Sequence, residues 1–125
     1  MSRIVHFEIH ASDPATLSKF YTQAFGWQIT HVPALDYYLI NTGQEGVGGG
    51  MPKRMGPKPA ADAPVSAFVC SLGVESVDAA LKKALDAGAT IALPKMAIPG
   101  VGWQVYIKDP DGNILGLHQP DGNAK

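Results

Sequence analysis

The chain has 125 residues, enough for one compact domain or for two small repeats sharing a core. With 46% hydrophobic and 17% charged residues it has a globular composition, and its net charge of −1 gives no electrostatic reason to expect nucleic acid or an anionic membrane as partner. A lone cysteine, Cys70, excludes an internal disulfide, no apolar run approaches the ~20 residues of a membrane span, and nothing after Met1 resembles a signal peptide, so a soluble cytoplasmic protein is expected.

Ile4 to His10 alternates, with Val5, Phe7 and Ile9 on one face and His6, Glu8 and His10 on the other. Such a polar face is normally a solvated one, yet two histidines and a glutamate at i, i+2 and i+4 make an unusual row. Asp13-Pro14 reads as a helix start, because Asp caps and Pro suits the first helical position. Leu17, Phe20, Tyr21, Ala24 and Phe25 follow at helical spacing, and Gly26 supplies the stop. Trp27–Val32 and Tyr37–Thr42 read as strands, with Tyr37 and Tyr38 on opposite faces. Val47 to Met51 continues extended through Gly48, Gly49 and Gly50. That triplet is not a phosphate loop, since no Lys-Ser/Thr follows it and a linker, not a helix, comes next. Glycine in a strand more often marks a bulge or the close approach of a ligand or backbone. Residues 52–64 hold four prolines and read as an exposed linker or flap.

The second half repeats the pattern. Val65–Leu72 is expected as a strand with Phe68, Cys70 and Leu72 on one face. Ser76 caps a helix with the stripe Val77, Ala80, Leu81, Ala84 and Leu85, and Gly88 ends it. Ala89–Leu93 is a strand and Pro94–Gly102 a loop. Val101 to Gln119 then forms a hairpin around Asp109-Pro110-Asp111-Gly112-Asn113, which is turn chemistry. If Lys108 pairs with Asn113 across that turn, Trp103 comes opposite His118 and shares its face. Pro120–Lys125 is expected to be a frayed tail.

The order is therefore βαβββ, linker, βαβββ, with Gly26 and Gly88 62 residues apart. The predicted fold is α+β, a single domain over 1–125. It divides into module 1 (about 3–51), linker 52–64, module 2 (65–119) and tail 120–125. The two modules form a curved mixed sheet around a cup. Phe7, Ile9, Leu115 and Leu117 are expected under the helices, and His6, Glu8, Gly116 and His118 on the concave side.

Val5-His6-Phe7-Glu8-Ile9, Phe20-Tyr21-Thr22-Gln23-Ala24-Phe25-Gly26-Trp27, Gly48-Gly49-Gly50-Met51, Ile98 to Trp103 and Lys108 to Asn113 together resemble the vicinal oxygen chelate superfamily, the glyoxalase, bleomycin-resistance and extradiol dioxygenase group. The resemblance is greatest to a glyoxalase-like subgroup whose members mostly lack an assigned activity. It implies two βαβββ modules, commonly a dimer, and a divalent metal in the cup. That metal takes a His or Gln from the first strand, Glu from the fourth, His from the fifth and Glu from the eighth. It chelates adjacent substrate oxygens or activates dioxygen. Carried onto this chain, His6 matches the first position. The others fall in Gly48–Met51, which holds no carboxylate, near Val69, which cannot bind metal, and at Gly116, which has no side chain. A metal needs three or more protein donors at ~2 Å.

The expectation is therefore a glyoxalase-like protein that binds a small organic molecule in its cup, without the family's metal site and with no cofactor. His6, Glu8, His10, Gly49, Trp103, Gly116 and His118 are the candidate ligand-binding residues, with Trp103 stacking on a planar ligand. If there is turnover, His6, Glu8 and His118 are the candidate catalytic residues, with His6 or His118 as a base. The alternative is a metal-dependent lyase, isomerase or dioxygenase using a divalent metal at His6, Glu8 and His118, with His10 as a further donor. The linker and the Lys95–Gly100 loop are candidate lids. A homodimer is expected, with no nucleic-acid or membrane partner, and an interaction module whose cup is only a dimer interface is the remaining class.

Overall fold

A computed structural model describes residues 6–65, 67 and 69–125. Those residues form β1 (His6–Glu8), α1 (Pro14–Phe25), β2 (Gln28–Val32), β3 (Tyr37–Asn41), β4 (Gly48–Met51), β5 (Ser71–Gly73), α2 (Val77–Asp86), β6 (Thr90–Ile98), β7 (Gly102–Lys108) and β8 (Ile114–Pro120). The expected Ile4 and Val5 at the start of β1 and Phe68 before β5 lie outside the described residues. The chain divides into two compact units, Met1–Pro59 and Ala60–Lys125, with the boundary inside the proline-rich stretch.

Both helices begin and end where local chemistry dictates. Asp13 accepts the Thr16 backbone N–H at 3.2 Å and the Thr16 hydroxyl at 2.9 Å, and Pro14 costs nothing at the first position because its missing N–H would have no helical partner there. Gly26 closes α1 in the left-handed region at φ 72°, where a Cβ would be strained. In α2, Ser76 accepts the Ala79 N–H at 3.2 Å, and Gln119 accepts the Val77 N–H at 2.9 Å, tying the helix start to β8.

Each unit carries one four-stranded mixed sheet, β1-β4-β3-β2 in the first and β5-β8-β7-β6 in the second. The two share one topology. The first strand runs parallel to the fourth, and the other pairs are antiparallel. One face of each sheet is dry. In the first unit Met51 and Ile40 are buried with Leu17, Phe20, Tyr21 and Ala24 of α1. Phe7 packs on Trp27 at 5.8 Å, and Trp27 stacks on Tyr21 at 4.9 Å. In the second, Val105, Ile107, Leu115 and Leu117 are buried with Val77 and Ala84 of α2. The expected placement of Leu115 and Leu117 on the buried side is thus observed.

Four expectations are corrected. The strand expected at Ala89–Leu93 continues through Pro94 to Ile98, so Lys95–Ile98 is strand rather than a lid loop. β6 is an edge strand with register shifts between Ile91 and Met96, and a bulged edge is where a residue without an N–H does little harm. The first linker residues are also paired: Ala11 bridges Lys53, and the Arg54 N–H donates to the Ala11 carbonyl at 2.8 Å, prolonging the β1–β4 ladder. The strand expected from Val65 is only Ser71–Gly73 among the described residues.

The tail, fourth, is fastened rather than frayed. Ala124 is buried and accepts the Gly100 N–H at 2.9 Å, while Asp121 accepts the Asn123 N–H at 2.9 Å and the Trp103 indole N–H at 3.0 Å. Those two donors, Asn123 first, hold the Asp121 carboxyl below its ordinary value of 3.8. A carboxyl depressed in the folded state stabilises above its unfolded value and stops doing so as pH falls through the folded one. Acidification below 3.8 should therefore release the tail before the core melts. Asp121→Ala should abolish that acid step and unprotect the Trp103 indole proton at neutral pH, both readable by NMR. An unchanged indole signal would contradict the tie.

Candidate functional site

The polar row of β1 is held from two sides. Behind it, Phe7 anchors the strand to Trp27. Beside it, β4 runs parallel with His6 opposite Gly48 and Glu8 opposite Gly50. The two glycines leave a trough on that face, and Tyr37 from β3 lies in it. A Cβ on Gly50 would collide with the Tyr37 ring and hydroxyl. Across the bare glycine the Tyr37 hydroxyl donates to Glu8 Oε2 at 2.7 Å and meets His6 Nε2 at 3.2 Å. Glu8 Oε1 lies 3.9 Å from His10 Nε2.

Proton positions follow from donor balance. A phenol has one proton, and Tyr37 gives it to the carboxylate. Its contact with His6 therefore requires His6 Nε2–H to donate to the phenol oxygen. Burial first, and then the hydrogen bond and charge of Glu8, push the Tyr37 phenol up from 10.0 to about 12. The folded protein thus keeps this proton to higher pH than the unfolded chain. The stabilisation is complete below 10 and is lost as pH rises through about 12. An absorbance titration should show a tyrosine phase at about 12 that is smaller by one ring in Tyr37→Phe and has a component shifted earlier in Glu8→Gln. No late phase in the unmodified protein would contradict the arrangement.

The second unit uses the same device with other residues. On the sheet face away from Leu115 and Leu117, Gly116 stands between Ser71 and Tyr106. The space a Cβ would take there is spanned by a bridge in which the Gln104 side-chain amide donates to the Ser71 hydroxyl at 3.0 Å. Gln104 Oε1 in turn lies 2.9 Å from His118 Nδ1, so His118 donates from Nδ1 and its Nε2 remains an acceptor.

Of the candidate residues, His6, Glu8 and His10 share one row with Tyr37, while Gly116 and His118 share another with Gln104 and Ser71. Two candidates fall on the wrong face. Gly49 is opposite Phe7, and its missing Cβ makes room for the Phe7 ring on the dry side. Trp103 pairs with Gln119, not with His118, because the turn is one residue longer than expected and Lys108 pairs with Ile114. Trp103 therefore lies on the α2 side, where Lys95 sits 4.8 Å above its ring and bonds Asp78 at 3.0 Å. Tyr37, Gln104 and Ser71 were not among the candidates. The signal for them was the alternation of Gly48 with Gly50 and of Gly102, Gln104 and Tyr106, which puts bare positions next to long polar side chains.

The donor set does not fit the metal implied by the resemblance. Gly48 has room for a side chain but no donor, Val69 has no donor, and Gly116 has neither donor nor space. His6 Nε2, the atom that would coordinate, carries a proton directed at Tyr37. Among the described residues no group of three or more His, Cys, Asp or Glu side chains is placed to hold a metal ion. A separate cleft of about 330 Å³ opens at the start of α1 between Asp13, Asp36, Tyr38 and Lys53. It lies on the helix side, where Tyr38 stacks on His31 at 4.5 Å, and shares no residue with the His6–Tyr37–Glu8 row.

CFP32 of Mycobacterium tuberculosis, which carries a provisional glyoxylase name, is 27% identical over 116 residues. The match takes in 90% of this chain but only 43% of CFP32, so the chain spans less than half the length of that relative. Virulence protein STM3117 of Salmonella typhimurium is 25% identical over 122 residues, 95% of this chain and 85% of that protein. A crystal structure of a glyoxalase/bleomycin resistance protein/dioxygenase family enzyme from Burkholderia phytofirmans has a TM-score of 0.73 at 20% identity, covering 94% of this chain and 98% of that one. The family model described as the glyoxalase/bleomycin resistance protein/dioxygenase superfamily matches residues 3–117, nearly the whole chain, and the protein therefore belongs to that superfamily.

Proposed function

We propose that the chain binds a small organic molecule on the glycine-floored faces of its sheets and does so without the metal that its superfamily's enzymes use. One observation carries the reading. At Gly50 and Gly116, the space a side chain would take is spanned instead by hydrogen-bonded bridges, Tyr37 to Glu8 and Gln104 to Ser71. His6, Glu8 and Tyr37 stand there as mutually oriented donors and acceptors, the kind of polar groups that fix a ligand's orientation in an organic-ligand site. A homodimer working in the cytoplasm belongs to the same reading. No helix among the described residues is long and apolar enough to cross a membrane.

The relative with the glyoxylase name favours a second reading, metal-assisted lyase chemistry through a non-standard ligand set that begins with His6 and Glu8. One experiment separates the two. Purified protein is dialysed against chelator, analysed for metal, and assayed for turnover of a hemithioacetal with added nickel or zinc. Thermal shifts against a library of small organic compounds are recorded in the same buffers. The proposal expects less than one metal per chain, no turnover, and ligand shifts indifferent to chelator. One tightly held metal per chain, lost on His6→Ala, would establish the second reading instead.

A further inference from the structure

We infer that Tyr37 is a specificity-determining residue that closes β1 to divalent cations by placing its hydroxyl at the point on which His6 and Glu8 converge. The inference rests on the metal-free half of the proposed function and is independent of organic-ligand binding.

Three observations carry it. The phenol oxygen is within hydrogen-bond distance of both His6 Nε2, at 3.2 Å, and Glu8 Oε2, at 2.7 Å. An imidazole nitrogen and a carboxylate oxygen aimed at one point form half of a nitrogen–oxygen metal site. The Glu8 carboxylate has His10 Nε2 at 3.9 Å from its other oxygen. Finally, the ring reaches this point only because Gly50 lacks a Cβ.

The occupancy has a chemical consequence. Coordination needs an unprotonated imidazole nitrogen, whereas the Tyr37 oxygen fixes the His6 proton on Nε2. A phenol that keeps its proton, directed at Glu8, is itself a poor ligand. A cation arriving at this point must therefore expel the ring, break the bond to Glu8 and move the His6 proton to Nδ1. Removing Tyr37 removes all three obstacles and leaves His6 and Glu8 facing the vacated point.

The test is calorimetric titration of the full chain with nickel chloride and with zinc chloride at neutral pH, with circular dichroism as the check on folding. Tyr37→Ala should bind one equivalent at least tenfold more tightly than the unmodified protein, and His6→Ala in the same background should abolish the gain. Tyr37→Phe keeps the ring and its packing but frees both donors. It should bind more tightly than the unmodified protein and less tightly than Tyr37→Ala, which keeps the test open if the alanine variant folds poorly. Equal affinity in all four proteins, or a gain that survives loss of His6, overturns the inference.

Discussion

Trp27→Ala is expected to destabilise the protein by about 3–5 kcal/mol, the range for removing a large buried aromatic ring. Trp27 is only 7% exposed. It is the ring on which three others meet: Tyr21 stacks on it at 4.9 Å, and Phe7 and Phe25 pack at 5.8 and 6.2 Å. Two of those partners come from α1 and one from β1, so the indole joins the helix to the strand that carries His6 and Glu8. The loss should appear as a lower urea midpoint with an unchanged slope, the sign of lost stability rather than of an altered unfolded state. A functional consequence should accompany it. With Phe7 unsupported, β1 keeps its ladder to β4 and its bonds to Tyr37 but loses its anchor on the helix side, and the late tyrosine ionisation should broaden or move earlier. Trp27→Phe fills most of the space and should cost less than about 2 kcal/mol. A cost for Trp27→Ala below about 1 kcal/mol would mean that the aromatic cluster does not organise this unit.

The parts of this fold that were legible in the sequence are those governed by local chemistry. Asp13-Pro14 and Gly26, like Ser76 and Gly88, mark helix ends because capping oxygens and positive φ act within a few residues. The two βαβββ patterns were legible for the same reason, and the facing of Leu115 and Leu117 followed from period-two alternation. Side-chain pairing across β7 and β8 was not legible, because one residue of register turns every side chain over. The cause lies in Asp109. Its carboxylate accepts the Asp111 N–H at 2.8 Å, the Asn113 N–H at 2.9 Å and the Asn113 side-chain amide at 2.9 Å. It thereby draws Asn113 into the turn, so that pairing resumes only at Lys108 and Ile114. Trp103 moves to the helix side as a result. At the candidate site, the row His6, Glu8 and His10 was readable from alternation. Its partner Tyr37 was not, since the sequence shows Tyr37 and Tyr38 side by side and only the β3–β4 register selects between them.

Gly50→Ala is expected to cost about 1–3 kcal/mol, and the sign of that cost should depend on Tyr37. Nothing in the backbone forbids alanine, because Gly50 is not among the glycines at positive φ. Alanine in a strand interior would otherwise be favoured by about 0.5–1 kcal/mol, since it has less freedom to lose on folding. The penalty comes from the Tyr37 ring and hydroxyl, which occupy the place of the new Cβ. The ring must leave and Glu8 loses its donor, a charge-assisted bond of about 1.5–3 kcal/mol before solvent replaces it. In a Tyr37→Ala background there is no ring to expel, and the same substitution should become neutral or stabilising by up to about 1 kcal/mol. The four proteins form a double-mutant cycle whose coupling energy reads the packing of Tyr37 on β4 directly. Gly50→Ala should not reproduce the metal affinity expected of Tyr37→Ala, because its new methyl takes the place of the hydroxyl at the point between His6 and Glu8. Equal costs in the two backgrounds would show that the tyrosine does not lie over Gly50 in solution.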